Sequence, residues 1–264
     1  MLTAIIRRNW QMYVRYFPIT LFFNRILDIG FKLLGLWLVS NFLFDNKIQV
    51  NNVIEYRDYF SYAAIGLIFY NVSIAILMNV GRALITEVRE GTLESTLVSP
   101  YSIVKYYFGI FFEQLGRTFL EFLSSYSIAF FLGANLQSIS LLNLIICFLY
   151  VSLISFSMGT LLSNIMLWFR DTFITQNTLF LIIFLVSGIT FPKELLPSFL
   201  QKISKMIPLS HSLDAIRNLF FNTSHFNIYN FDFLQGILIS VVYFIVGLLV
   251  YKKIEQKIVS YISY

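Results

Sequence analysis

Charge is what this sequence has least of. Asp, Glu, Lys and Arg make up 12% of its 264 residues, about half the share found in a soluble globular chain. Hydrophobic residues make up 58%, and mean hydropathy is +0.74. A chain of this length cannot hide that much apolar surface from water, so lipid must be the solvent for much of it. Cysteine occurs once, at Cys147. That excludes an internal disulfide and a thiolate-rich metal site, and leaves Cys147 as a small apolar residue. Histidine occurs twice, at His211 and His225, and neither belongs to an HExxH pattern. No Gly is followed by Lys, so the GxxxxGK[ST] phosphate-binding loop is missing. A membrane-embedded enzyme would need acids, His or Cys gathered near the interface, and this inventory supplies little. The net charge of +5 is modest and collects at the two ends, as Arg7, Arg8 and Arg15 and as Lys252, Lys253 and Lys257. Without a solvated basic face, nucleic acid is not an expected partner; an anionic lipid surface is.

Charge is absent over long runs. A helix needs about 20 mostly apolar residues to cross ~30 Å of hydrocarbon. Tyr59 to Gly81, Phe122 to Phe169, Thr172 to Pro192 and Phe233 to Tyr251 carry no charge. The second of these is too long for one span and divides at "GANLQSIS", where Gly133, Asn135 and Gln137 supply a turn. With the less pure run from Phe17 to Phe44, the reading is an all-α membrane protein with six spans, at about 20–43, 59–81, 104–133, 140–167, 172–191 and 233–251. Long continuous runs are not the alternating segments of a β-barrel. "MLTAIIRRNWQMYVRYF" breaks its apolar run with arginines, so it reads as an interfacial amphipathic helix anchored by Trp10, Tyr13 and Tyr16, not as a cleaved signal. Six spans put both basic termini on one side, the cytoplasmic one. Lys193, Lys202, Lys205 and Arg217 then fall outside, against the rule. The segment 192–232 is too charged to span and too apolar to be a free loop. Pro192, Pro197 and Pro208 divide it into short helices at the outer leaflet.

Against this background one polar stretch stands out, "EVREGTLESTLVSP", Glu87 to Pro100. Glu87, Glu90 and Glu94 share a helical face. Gly91 interrupts the helix, Thr92 can cap a further turn with Glu94 near its positive end, and Ser99-Pro100 is a helix-start signal. Two ladders of charge also lie inside apolar spans. Arg25, Asp28 and Lys32 share one face of the first; Glu113, Arg117 and Glu121 share one face of the third. Each alternates in sign and can pair internally. The ladders could face each other, a second membrane chain or a wet vestibule, or lie solvated beyond the membrane.

"EVREGTLESTLVSPYS" resembles the segment after the second span in ABC-2 type transporter permeases. "FRDT" (Phe169 to Thr172), "SGITFPKELLP" (Ser187 to Pro197) and "PLSHSLDAIR" (Pro208 to Arg217) resemble further stretches of that family, in order and at its spacing. The resemblance implies one ABC-2 type transmembrane domain over residues 1–264, with an N-terminal interfacial helix and short re-entrant helices before the sixth span. It makes Glu87, Arg89, Glu90, Gly91, Thr92 and Glu94, in a helix at 83–98, a cytoplasmic coupling element that docks on a separate ATPase. It implies two such ATPases, a second permease copy or related permease, and surrounding lipid. No cofactor is expected on this chain; ATP and Mg belong to the partner. The implied activity is export of a drug, lipid, peptide or similar amphiphile across the cell membrane by alternating access, with polysaccharide or teichoic-acid export as a neighbouring alternative. A self-contained channel and a membrane-embedded enzyme are the readings from other classes.

Overall fold

In the computed structural model, residues 6–8, 10–11, 18–43, 48–50, 54–56, 59–93, 102–136, 139–169, 173–221 and 231–262 are described. Helix α1 (Pro18–Leu43) leads to a small antiparallel hairpin, β1 (Ile48–Val50) and β2 (Ile54–Tyr56), paired Ile48 with Tyr56 and Val50 with Ile54. Then follow α2 (Tyr59–Arg89), α3 (Ile103–Phe131), α4 (Leu141–Phe169), α5 (Phe173–Val186), a 3-10 turn (Lys193–Leu195), α6 (Ser198–Ser204), α7 (Pro208–Phe221) and α8 (Phe231–Ile262). The hairpin lies between the first two expected spans, 20–43 and 59–81.

Of the described helices, α2, α4 and α8 are both long and apolar enough to cross a membrane. Helices α1 and α3 have the length but carry Arg25, Asp28 and Lys32, and Lys105, Glu113, Arg117 and Glu121. Helix α5, at 14 residues, rises only about 21 Å, shorter than the expected fifth span at 172–191. It stops because Gly188 takes the left-handed conformation, with φ at +69°.

Helix α2 is the axis of the bundle. It packs most extensively on α4, then on α3, and touches α1, α5 and α7, while α8 covers the far side of α4 and α7. The α2–α4 seam is close because its contact residues are small. A Cβ on Gly81 would lie 2.9 Å from the Leu162 side chain, and one on Gly159 would lie 2.9 Å from Val80. Between two lipid-embedded helices, such close packing replaces the hydrophobic driving force that water would supply. The Ser155 hydroxyl donates to Ser73 across the seam at 2.8 Å. Farther along α4, the Asn164 amide donates to the Gly247 carbonyl of α8 at 3.0 Å. The outward face of α8 stays exposed and apolar, through Leu238, Val242, Ile245 and Leu249.

Candidate functional site

Three polar clusters lie in this apolar bundle. The first is where α2 ends. The N–H of Gly91 bonds to the Val88 carbonyl at 3.2 Å and the N–H of Thr92 to the Glu87 carbonyl at 2.9 Å, with Gly91 at φ +69°. This paired pattern around a left-handed glycine closes a helix and satisfies its last carbonyls. So α2 runs unbroken to Arg89 and closes in a turn at Glu90 and Gly91, after which Leu93 is helical again; the rest of the helix expected at 83–98, residues 94–98, lies outside the described residues. Glu94, and the Ser99-Pro100 start signal, lie outside the described residues. The described start of α3 is capped by Ser102, whose Oγ accepts from the Lys105 N–H at 3.4 Å.

Glu87 does not face outward with Arg89 and Glu90. It is buried, and its carboxylate accepts from Arg8 at 2.6 Å, from the Tyr106 hydroxyl at 2.9 Å and from the Thr92 hydroxyl. Burial alone would raise its pKa. The hydrogen bonds from Thr92, Arg8 and Tyr106 and the Arg8 charge outweigh burial and hold the carboxyl below its ordinary value of 4.5. Thr92 thus serves Glu87, and Glu87 joins the N-terminal segment, α2 and α3. Arg89, Glu90 and Gly91 are exposed on the turn itself.

The second cluster holds the two charge ladders. Arg25 of α1 donates to both oxygens of Glu121 of α3 at 3.0 Å, so the ladders meet. Glu121 lies ten residues before the end of α3 at Phe131, about 15 Å along its axis. Arg117 pairs with Glu113 at 2.7 Å within α3, where Glu113 is buried. Asp28 and Lys32 pair at 2.5 Å on the exposed face of α1, among exposed Leu27, Phe31 and Leu34. Beside them a cleft of about 520 Å3 opens between α1, α2 and α5, with Lys32, Tyr70, Asn177, Phe180 and Phe184 in its walls.

The third cluster is at the opposite end of α2, and sequence reasoning about function passes over it. Arg217 of α7 is buried. Its Nη1 donates to the Tyr62 hydroxyl and the Gly188 carbonyl, both at 2.7 Å, and its Nη2 donates to the Ile189 carbonyl at 2.7 Å. The guanidinium lies 3.5 Å from the Tyr62 ring centroid. Lys193 pairs with Asp214 alongside. The motifs "SGITFPKELLP" and "PLSHSLDAIR" therefore hold each other. The available signal was the conflict with the positive-inside pattern: a cation on the wrong side is a hint that it is buried and partnered. No group of His, Cys, Asp and Glu that could hold a metal ion occurs among the described residues.

Long apolar helices with charge confined to their ends and to internal pairs define a helical membrane protein. The chain matches the family model of the ABC-2 type transporter over residues 2–221, and it belongs to that family. No curated protein matches it. It is the permease component of an ABC transporter, a class that generally works with a separate ATPase subunit.

Proposed function

We propose that this chain is the permease subunit of an ATP-driven exporter that moves an amphiphile, such as a drug, lipid or peptide, across the cell membrane by alternating access between two permease copies. Both termini lie in the cytoplasm, six segments cross the membrane, and α6 and α7 form a re-entrant pair at the outer face. The carrying observation is the α1 face. A charge facing hydrocarbon costs ~2.5–3.5 kcal/mol at the bilayer centre, yet Asp28 and Lys32 are exposed in mid-helix. That supports a second permease opposite α1, with a wet path between them. The adjoining cleft, aromatic with one cation in its wall, suits a molecule with an apolar body and a polar head.

At the other face the exposed turn, Arg89 to Thr92, docks on the ATPase, two copies of which bind ATP and Mg. Exchanging the charges there, Arg89→Glu with Glu90→Lys, tests this without touching the buried Glu87. The expected result is weaker capture of the ATPase from detergent extracts and loss of ATP-driven uptake of a fluorescent amphiphile into inside-out vesicles, with normal membrane insertion. Unchanged capture together with unchanged uptake would sink the docking assignment.

A further inference from the structure

Three segments converge on the Tyr59 end of α2. Asn135, in the turn after α3, donates its N–H to the Ser61 hydroxyl at 2.7 Å. Tyr59 stacks on Phe191 with ring centroids 6.0 Å apart. The turn at 188–189 and helix α7 meet α2 through Arg217. Gly66 makes that meeting possible: a Cβ there would fall 2.2 Å from the Ile189 oxygen and 2.3 Å from Arg217 Nη2. One guanidinium thus serves two consecutive carbonyls, a hydroxyl and a ring face. A lysine has one nitrogen and cannot span them.

The other end of α2 is tied as tightly, by Glu87 to Arg8 and Tyr106. Tyr62 and Glu87 are 25 residues apart on one helix, about 37 Å along its axis. No glycine break or proline interrupts the hydrogen-bonded run between them, and its centre is buried against α4. A helix so held behaves as one piece.

We infer that Arg217 is a positioning residue for transport: it pins the segment 187–217 to α2, so that this segment moves with the helix whose far end precedes the ATPase-docking turn. The inference rests on the docking assignment proposed above, and the test separates the two. The first arm uses the permease alone in lipid nanodiscs. Arg217→Gln speeds hydrogen exchange of the amides at 187–196 by about tenfold, while the amides of 68–85 in α2 stay protected. Arg217→Lys falls between. Unchanged exchange at 187–196 would overturn the pin. Should Arg217→Gln fail to fold, Tyr62→Phe, which removes one hydroxyl and keeps the ring, gives the same pattern at smaller amplitude, and no change in it overturns the inference equally.

The second arm uses the transporter with its ATPase, labelled at Phe199→Cys in a Cys147→Ser background. Maleimide labelling of the otherwise unaltered protein changes about fivefold between nucleotide-free and vanadate-trapped states, the size of an ordinary coupling between sites. In Arg217→Gln that change disappears although the ATPase is captured and hydrolyses ATP. A change that persists in Arg217→Gln, or is missing without the Arg217 substitution, overturns the inference. Failure of the unaltered permease to capture the ATPase overturns the docking assignment instead, and the exchange arm still decides whether Arg217 pins the segment.

Discussion

At the scale of single residues, the buried charges Glu87, Glu113, Glu121 and Arg217 are each met by another group, and Glu121, Asp28 and Glu87 differ in what the loss of their contacts would do. Glu121 is nearly buried and depends on Arg25, seen 96 positions earlier. Arg25→Ala leaves that carboxylate without its charged donor, and a hydrogen bond to a charged group contributes about 1.5–3 kcal/mol. Since Arg25 is more than a third exposed, the lower part of that range applies. The thermal midpoint in detergent should fall, and the exchange Arg25→Glu with Glu121→Arg should recover part of it. Asp28→Ala, on an exposed pair, should cost no more than ~0.5 kcal/mol in the isolated chain. Glu87 gives the pH signature. Its folded pKa is depressed below 4.5, so the unfolded state takes up the proton first. The stabilisation is complete above the ordinary carboxylate range and fades as pH falls through the folded value. Protection of the N-terminal segment, read by limited proteolysis, should therefore drop in acid below about pH 4.5 and become flat with pH in Glu87→Gln. An equally steep acid loss in Glu87→Gln would count against the assignment.

At the scale of elements, packing is decided by missing side chains. Gly159→Leu inserts a branched side chain where even a Cβ sits 2.9 Å from Val80. Overpacking of this kind costs about 1–3 kcal/mol, so α2 and α4 should separate and the protein should lose its sharp thermal transition. Gly116→Ala, which meets nothing within 4 Å, is the control and should be neutral. Helices were legible from sequence where charge was absent, because a long apolar run has few alternatives in lipid. Their ends were less so. The end of α5 falls earlier than its uncharged run suggests, because Gly188 turns the chain before hydropathy changes. Partners distant in sequence were not legible. Nothing around Glu87 names Arg8, 79 positions away, and nothing in "PLSHSLDAIR" says that its arginine reaches Tyr62, 155 positions away. The two ladders were visible as helical faces, and the pairs Asp28 with Lys32 and Glu113 with Arg117 follow from their spacing of four, but that Arg25 would pair with Glu121 required the relative height of α1 and α3.

At the scale of the whole molecule, the arrangement divides into a buried axis, α2 with α4 and α3, and a periphery of α1, α5 and α8 that shows apolar side chains outward. Among the described residues, three helices satisfy length and hydropathy unaided; α1 and α3 have the length and carry the charge pairs described above, and α5 is apolar but short. The proposed topology makes a sharp prediction. With single cysteines at Asn46, Ser95 and the exposed Phe199 in a Cys147→Ser background, positions 46 and 199 should label from outside intact cells and position 95 only after permeabilisation. Labelling of all three from one side would reject six crossings with cytoplasmic termini.

The way α2 closes, at Gly91 and Thr92, has a bearing on how such permeases diversify. Because the helix satisfies its own last carbonyls there, its end does not depend on which side chains the exposed positions Arg89 and Glu90 carry. Those two positions are then replaceable: their side chains can drift to suit one ATPase or another while the membrane core keeps its shape. Exchanging Arg89 and Glu90 for the residues of a related permease should redirect which ATPase is recruited and leave the thermal midpoint of the bundle where it was.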